Sequence, residues 1–393
     1  MRKSRITTIK TIVDKKICCG CGACEVICPE KCITMMKGVH FNYPEINATE
    51  CVRCGLCMSV CSSAYLISDT PPDAPTVLLD EKDDYFLAHA LDEKLRHRAA
   101  SGGFITGFLV SLLRSGTIDG AIVAGEDPSD SLSSRSYVAC TEEEMVSSCG
   151  SRYSPVSSCA TLSRILEEPG KYAFVGKGCD ITALRKLQSN IDELKERIVL
   201  SIGLFCAQTP SRENTISFLS ARGIDEKKIS RIAYRGDGWP GTFSVHNGEE
   251  TLLHVPYLEA WRYLVSRHPS LRCALCSDPF AAESDISVGD PWSDEMMRSE
   301  KEGLSLVIVR SLETGKLLKS AQAKRKIRLK ETDQRYVQEC QRSLMSKAKW
   351  ARISLDTYRL LYLRKMSNPI SLIRHRAPMA RLLLRTKLKR SYY

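Results

Sequence analysis

Within CCGCGACEVICP, residues 18–29, and again within CVRCGLCMSVC, residues 51–61, cysteines recur with the spacing C-x2-C-x2-C-x3-C. Three thiolates on so short a loop converge on one cubane, and the fourth, on the following helical turn, reaches a second. The spacing predicts two [4Fe-4S] clusters with interleaved ligands. Cys18, Cys21, Cys24 and Cys61 would hold one, and Cys51, Cys54, Cys57 and Cys28 the other. Gly20, Gly22 and Gly55 remove Cβ crowding, so backbone N–H groups can approach the sulfurs. Two four-thiolate zinc sites are the alternative, but zinc ribbons do not interleave eight cysteines in this order.

Over Lys15 to Leu66 the stretch resembles a bacterial two-cluster ferredoxin domain, with one departure: Ser62 stands where a proline is expected after the last ligand. Cys19 and Cys32 fall outside both patterns and are expected as small buried neighbours of the ligands. Ten of the 18 cysteines lie between Cys18 and Cys61, a concentration that points to metal or redox centres in a reducing compartment and away from a disulfide framework.

Outward from this head, SDTPPDAP, residues 68–75, reads as a linker because its prolines remove backbone donors and disfavour helix. The expected organisation is a ferredoxin-like domain over 1–67, a linker over 68–80, a larger body over 81–323 and a basic, mainly helical tail over 324–393. The chain of 393 residues suits such a multi-domain layout, and its 43% apolar and 26% charged residues exclude a wholly disordered or collagen-like protein. The tail carries 20 Lys and Arg against four Asp and Glu, a net of +16, so the remaining chain is acidic although the whole is +11. The longest uncharged apolar-rich stretch, Ser101 to Leu113, is shorter than the roughly 20 residues that cross a bilayer. The opening MRKSRITTIKTIVDKK has no apolar core of a signal peptide, so a cytoplasmic protein is expected.

In the body, helical patterns are read at FLAHALDEKL from Phe86, GFITGFLVSLLRSG from Gly103 and ITALRKLQ from Ile181, and strands around Ile122, Phe174 and Val199. This alternation predicts an α/β body with parallel pairing, and with the ferredoxin-like head a mixed α+β and α/β chain. Ser101, Gly102 and Gly103 precede the long apolar helix and could present N–H groups to a phosphate or a ring edge; a plain cap with Ser101 as N-cap is the alternative. No G-x-G-x-x-G fingerprint and no Walker loop occurs, and the seven histidines are scattered, which counts against a Rossmann site, an NTPase and a His-based hydrolase.

The segments SGGFITGFLVSLL, TIDGAIV, GSRYSPVS, FVGKGCDITALRKL, IGLFC and RCALCSDPFAAESDISVGDPW, in that order, resemble the family of coenzyme F420 hydrogenase and dehydrogenase beta subunits. The resemblance runs over Lys94 to Trp292 and implies an FAD, a further iron-sulfur cluster and electron exchange with a deazaflavin or related substrate. RGDGWPGTF, from Arg235, looks like a form seen in stand-alone members. The resemblance places flavin or substrate contacts at Ser101, Gly102, Gly103 and Thr106, and at Gly150, Ser151, Arg152 and Tyr153. Arg152 could hold flavin phosphates or stabilise a reduced ring, with a surface ion pair as the alternative. Gly178 replaces the proline of the family's G-x-P-C, and Lys177 either faces the cofactor or is solvated. No catalytic residue is assigned.

Cys179 and Cys206 each follow a strand-like run, and Cys273 and Cys276 form a C-x2-C pair, so a third [4Fe-4S] cluster is expected on these four, which also match the family's cluster cysteines. Inert buried cysteines and a zinc site remain alternatives. The expected protein is an iron-sulfur flavoprotein oxidoreductase moving electrons between a hydride carrier, with coenzyme F420 as substrate, and a protein partner such as ferredoxin or a redox subunit. A ferredoxin-dependent reductase of another small molecule, or an electron-transfer subunit without a hydride site, is the second reading. The basic tail suits an acidic protein or, peripherally, an anionic membrane; no recognition module for nucleic acid accompanies it. Because the tail holds none of the assigned ligands, removing it after Trp350 is expected to leave the head clusters intact.

Overall fold

The structure, a computed structural model, describes residues 7–68 and 78–362. Among the described residues thirteen strands fall into three sheets. In the head, β1 (Ile33–Lys37) pairs antiparallel with β2 (Asn42–Ile46) between the two cysteine loops. The body is built on β3 (Asp84–Ala90), β4 (Gly120–Asp127), β5 (Asp130–Ala139), β6 (Tyr172–Lys177), β7 (Ile198–Leu204), β11 (Ile286–Gly289), β12 (Ser305–Val309) and β13 (Ile327–Thr332). These eight form one mixed sheet in the order β13-β3-β12-β11-β7-β6-β4-β5. β8 (Arg231–Gly236), β9 (Thr242–Asn247) and β10 (Glu250–Pro256) make a separate antiparallel meander.

Four central strands, β4, β6, β7 and β11, run parallel. Both faces of the large sheet are covered. Phe86 and Ala88 of β3 and Val307 and Val309 of β12 point into one core with Phe104 and Phe108, whereas Leu87, Leu306 and Ile308 point into another with Phe280 and Val337. Successive side chains leave a strand on opposite faces, so a sheet buried on both sides reads as a continuous apolar run. That explains one misreading: FLAHA is not helical but lies in β3, and a helix begins only at Glu93, capped by Asp92 accepting from Leu95 N at 2.9 Å. The helices Phe104–Arg114 and Gly178–Gln188 and the strands around Ile122, Phe174 and Val199 stand where expected.

The boundary at residue 324 does not hold, because β13 lies beyond it and forms the edge of the large sheet against β3. Nor is the head set apart from the body. Its core of Ile12, Ile17, Cys24, Phe41 and Leu66 also takes in Leu271, Leu275, Leu355 and Tyr358, all buried. Arg212 N donates to His40 O at 3.0 Å, Lys186 Nζ to Cys61 O at 2.7 Å, and Lys37 pairs with Asp127 at 2.6 Å. Leu355 and Tyr358 belong to the last described helix, Arg342–Tyr362, so removing the chain after Trp350 would open the head's core, contrary to expectation. Most of the linker, 69–77, and the basic stretch from 363 onward lie outside the described residues. Among the described residues no helix is long and apolar enough to cross a membrane.

Candidate active site

In open sheets with parallel strands, ligands bind beyond the carboxyl ends of those strands. Here that edge opens into a cleft of about 520 Å3, lined by Val123 and Ala124 of β4, Gly176 and Lys177 of β6, Leu204 of β7 and Gly289 of β11. Ser101, Gly103 and Thr106 line it from the start of the apolar helix and the turn before it, and Gly150, Ser151, Arg152 and Tyr153 from the loop after the helix Glu142–Ser147. Gly102 does not: its amide donates to Ser305 Oγ at 3.2 Å, and a Cβ there would sit 2.6 Å from Ala88 O. Ser101 is not a helix cap either, since its hydroxyl donates to Leu304 O at 2.5 Å and the N-cap is Gly103, with φ 68°.

Arg152 is no surface residue. Its side chain is 7% exposed, it pairs with Glu126 at 3.4 Å, and its Nε is buried with no hydrogen-bond partner among the described residues. Burial pulls its pKa down against the pull of Glu126, so an anion in the cleft would complete its coordination. Lys177, read as a solvated lysine or a cofactor contact, is half-buried, and its Nζ lies 2.7 Å from the fully buried Asp180. Burial opposes its charge, but Asp180 holds the ammonium above its ordinary range.

Sequence reading assigned no role to the opposite wall. Arg235, 3% exposed, makes a two-pronged pair with Asp290, 2.9 Å on each arm, and donates to Pro240 O at 2.7 Å. Its guanidinium sits 4.5 Å from the Tyr257 ring centre and 5.1 Å from that of Trp292. Trp239 Nε1 donates to the same carboxylate at 2.9 Å, and Tyr153 packs on Trp261 and Tyr257 at 4.8 and 5.5 Å. The result is an aromatic wall with a buried cation behind it, suited to a planar ring system.

Behind Lys177 lies a second, smaller chamber. Cys179, Cys206, Cys273 and Cys276 line it together with Lys177, Arg272 and Lys347. β6 and β7 are parallel neighbours, which brings Cys179, on the first turn after β6, beside Cys206, two residues after β7. Gly178 permits this, because a Cβ there would come within 2.8 Å of Asp278 O on the loop carrying Cys276. Burial pushes the thiol of Cys206 up to about 12 and that of Cys61 up to about 11. Such thiols become thiolates at neutral pH when a metal binds them.

In the head, Cys28, Cys51, Cys54 and Cys57 lie close enough to interact, with Cys32 Sγ 3.4 Å from Cys28 Sγ. Cys18, Cys24 and Cys61 gather likewise. Gly20 N donates to Cys18 Sγ and Ser63 N to Cys61 Sγ, each at 3.3 Å. Cys21 turns instead toward Cys19 and Cys159, and Cys19 toward Cys179. Cys19 and Cys159 therefore join the first loop to the chamber, a contact that spacing alone did not foreshadow. Among the described residues no group of three or more His, Cys, Asp or Glu is placed to hold one metal ion; a cubane instead takes one thiolate at each of four irons.

Residues 85–163 match the family described as the N-terminal part of the coenzyme F420 hydrogenase/dehydrogenase beta subunit, and 170–335 match its C-terminal counterpart. The chain belongs to that family. It is an oxidoreductase. The coenzyme F420-dependent sulfite reductase of Methanocaldococcus jannaschii is 29% identical over 82% of this chain, which spans half the length of that longer protein. One component of the F(420)H(2) dehydrogenase of Methanosarcina mazei is 24% identical over 74% of this chain and 82% of its own length. The F420-reducing [NiFe] hydrogenase complex of Methanosarcina barkeri contains a chain of similar fold, with TM-score 0.55 and 21% identity over 73% of this chain and 95% of that one.

Proposed function

We propose that this family member exchanges a hydride with a deazaflavin of the coenzyme F420 type in the strand-end cleft and passes the electrons singly through the head to a partner redox protein. One observation carries the reading: Lys177 lines both the cleft and the four-cysteine chamber, so the two sites adjoin. The residues fit an FAD. Arg152 offers an orphaned buried donor to its phosphates, the Tyr153, Tyr257 and Trp261 wall offers rings for stacking, and Thr106 offers a hydroxyl. A bound FAD would supply the conversion of an electron pair into single electrons.

The cysteine spacing suits three [4Fe-4S] clusters: Cys18, Cys24 and Cys61 gather, as do Cys28, Cys51, Cys54 and Cys57, while Cys21 would turn from Cys19 and Cys159 to join the first group, and the cations around the chamber match the negative charge of cluster thiolates. Arg235, fixed by Asp290, keeps the aromatic wall in place. The head offers an exit, because Cys54 is exposed and Val52 beside it is 63% exposed. The net positive charge beyond residue 324 suits an acidic carrier.

Protein purified without oxygen is expected to release one FAD per chain on acid treatment and to bleach in both flavin and cluster bands when reduced F420 is added. Full iron with no flavin, even after reconstitution with FAD, would overturn the reading in favour of an electron-transfer subunit without a hydride site.

A further inference from the structure

Arg272 is buried, 5% exposed, and forms no ion pair with a carboxylate among the described residues. Leaving a buried cation unmatched costs several kcal/mol, so an anion must face it. On one side its Nε donates to Ser63 Oγ at 2.8 Å and its Nη2 to Ser62 O at 3.3 Å, directly after Cys61. On the other side the residue lines the chamber, and its Nη1 is buried without a hydrogen-bond partner among the described residues. It is within electrostatic reach of Cys179 and Cys276 in the chamber and of Cys18 and Cys61 in the head. Lys347 differs. Its Nζ donates to Cys206 O at 3.0 Å, and the thiols it reaches, Cys206, Cys273 and Cys276, all belong to the chamber. Lys177 is already matched by Asp180.

We propose that Arg272 is a shared counter-charge for two iron-sulfur centres, the one on Cys18, Cys21, Cys24 and Cys61 and the one on Cys179, Cys206, Cys273 and Cys276, and that it raises the reduction potential of both. The proposal rests on the three-cluster reading given above. A fixed positive charge between two anionic centres favours the reduced, more negative form of both, whereas Lys347 favours it in the chamber alone. The fork geometry lets one cation bond the serine turn through Nε and Nη2 while the same residue lines the chamber.

The test is an EPR-monitored redox titration of anaerobically purified full-length protein, with each signal assigned through the variants Cys54→Ala and Cys276→Ala. Wild-type iron of about 12 per chain, three clusters of four, must be found first; its absence defeats the three-cluster reading and the proposal with it, whereas the outcomes below, with that iron present, bear on Arg272 alone. Arg272→Met is expected to move two potentials to more negative values and leave the centre on Cys51, Cys54 and Cys57 unmoved, while Lys347→Met moves the chamber centre alone. If Arg272→Met is too unstable to hold both centres, iron should fall to about 4 with the Cys51 centre surviving, by the same count. A change confined to one centre, or none, overturns the proposal. Should Arg272→Met lose all iron, Arg272→Lys, which keeps the charge, is expected to restore it, and failure of that rescue assigns Arg272 a purely structural role.

Discussion

Asp290 is the single carboxylate that Arg235 and Trp239 share, and both partners are buried. Asp290→Asn therefore leaves a buried guanidinium facing a neutral amide, and breaking such a pair from one side costs about 3–5 kcal/mol. Urea denaturation should show that loss, accompanied by weaker FAD retention, because the guanidinium beneath Tyr257 and Trp292 is no longer held. Arg235→Lys should lose FAD too, since an ammonium cannot make the two-pronged contact. A second residue reports through pH. Burial lowers the pKa of His89, whose Nδ1 donates to Ala90 O at 2.7 Å. A histidine depressed in the folded state takes up its proton more readily when unfolded, so stability declines as pH falls through the ordinary value of about 6.5. Denaturation midpoints between pH 7.5 and pH 5.5 should fall for the wild type, and His89→Gln should flatten that slope.

At the scale of elements, the helix Arg342–Tyr362 is part of the head's core although nothing in its composition says so. Tyr358 is fully buried there, and Tyr358→Ala should cost about 3–5 kcal/mol, as for other large core aromatics. Truncation after Trp350 should release head iron, whereas truncation after Tyr362 should not; iron analysis and thermal melts separate the two. What was legible from sequence follows the range of the interaction. The eight head cysteines lie within 44 residues, and seven of them gather in the two groups that their local spacing anticipates, whereas Cys21 turns toward Cys19 and Cys159. β6 and β7 could be placed side by side because their apolar runs end in Cys179 and Cys206. FLAHA was misread because burial on both faces erased the alternation that marks a strand. β13 was missed because an edge strand bearing Arg328, Lys330 and Glu331 looks like the charged stretch that follows it. Arg235 and Asp290 are 55 residues apart and meet only through tertiary structure. Gly178→Ala tests the close approach directly: the added Cβ collides with Asp278 O, so the chamber should lose about 4 irons, one cluster's share, while the head keeps its own.

Across the whole molecule, the decisive feature is that the head does not own its core. Leu271, Leu275, Leu355 and Tyr358 supply the face against which Ile12, Ile17 and Phe41 pack. Each such side chain is worth about 1.5–3 kcal/mol when buried, so together they rival the 5–15 kcal/mol that stabilises an ordinary domain. A segment of about 60 residues has little core to spare. This embedding has a functional sense as well, because it holds Cys19 against Cys179 and Cys21 against Cys159 of the body, where a tethered domain would leave the distance between centres free to vary. Expressed alone, residues 1–68 should therefore reconstitute poorly, holding well under the about 8 irons of two clusters and melting far below the full chain when followed by visible circular dichroism. A fragment that keeps all its iron and melts with the full chain would show that the head folds independently and that its contacts with the body are dispensable docking. Adding the body back as a separate chain distinguishes the cases further: an embedded head regains iron and thermal stability together, in proportion to the complex formed.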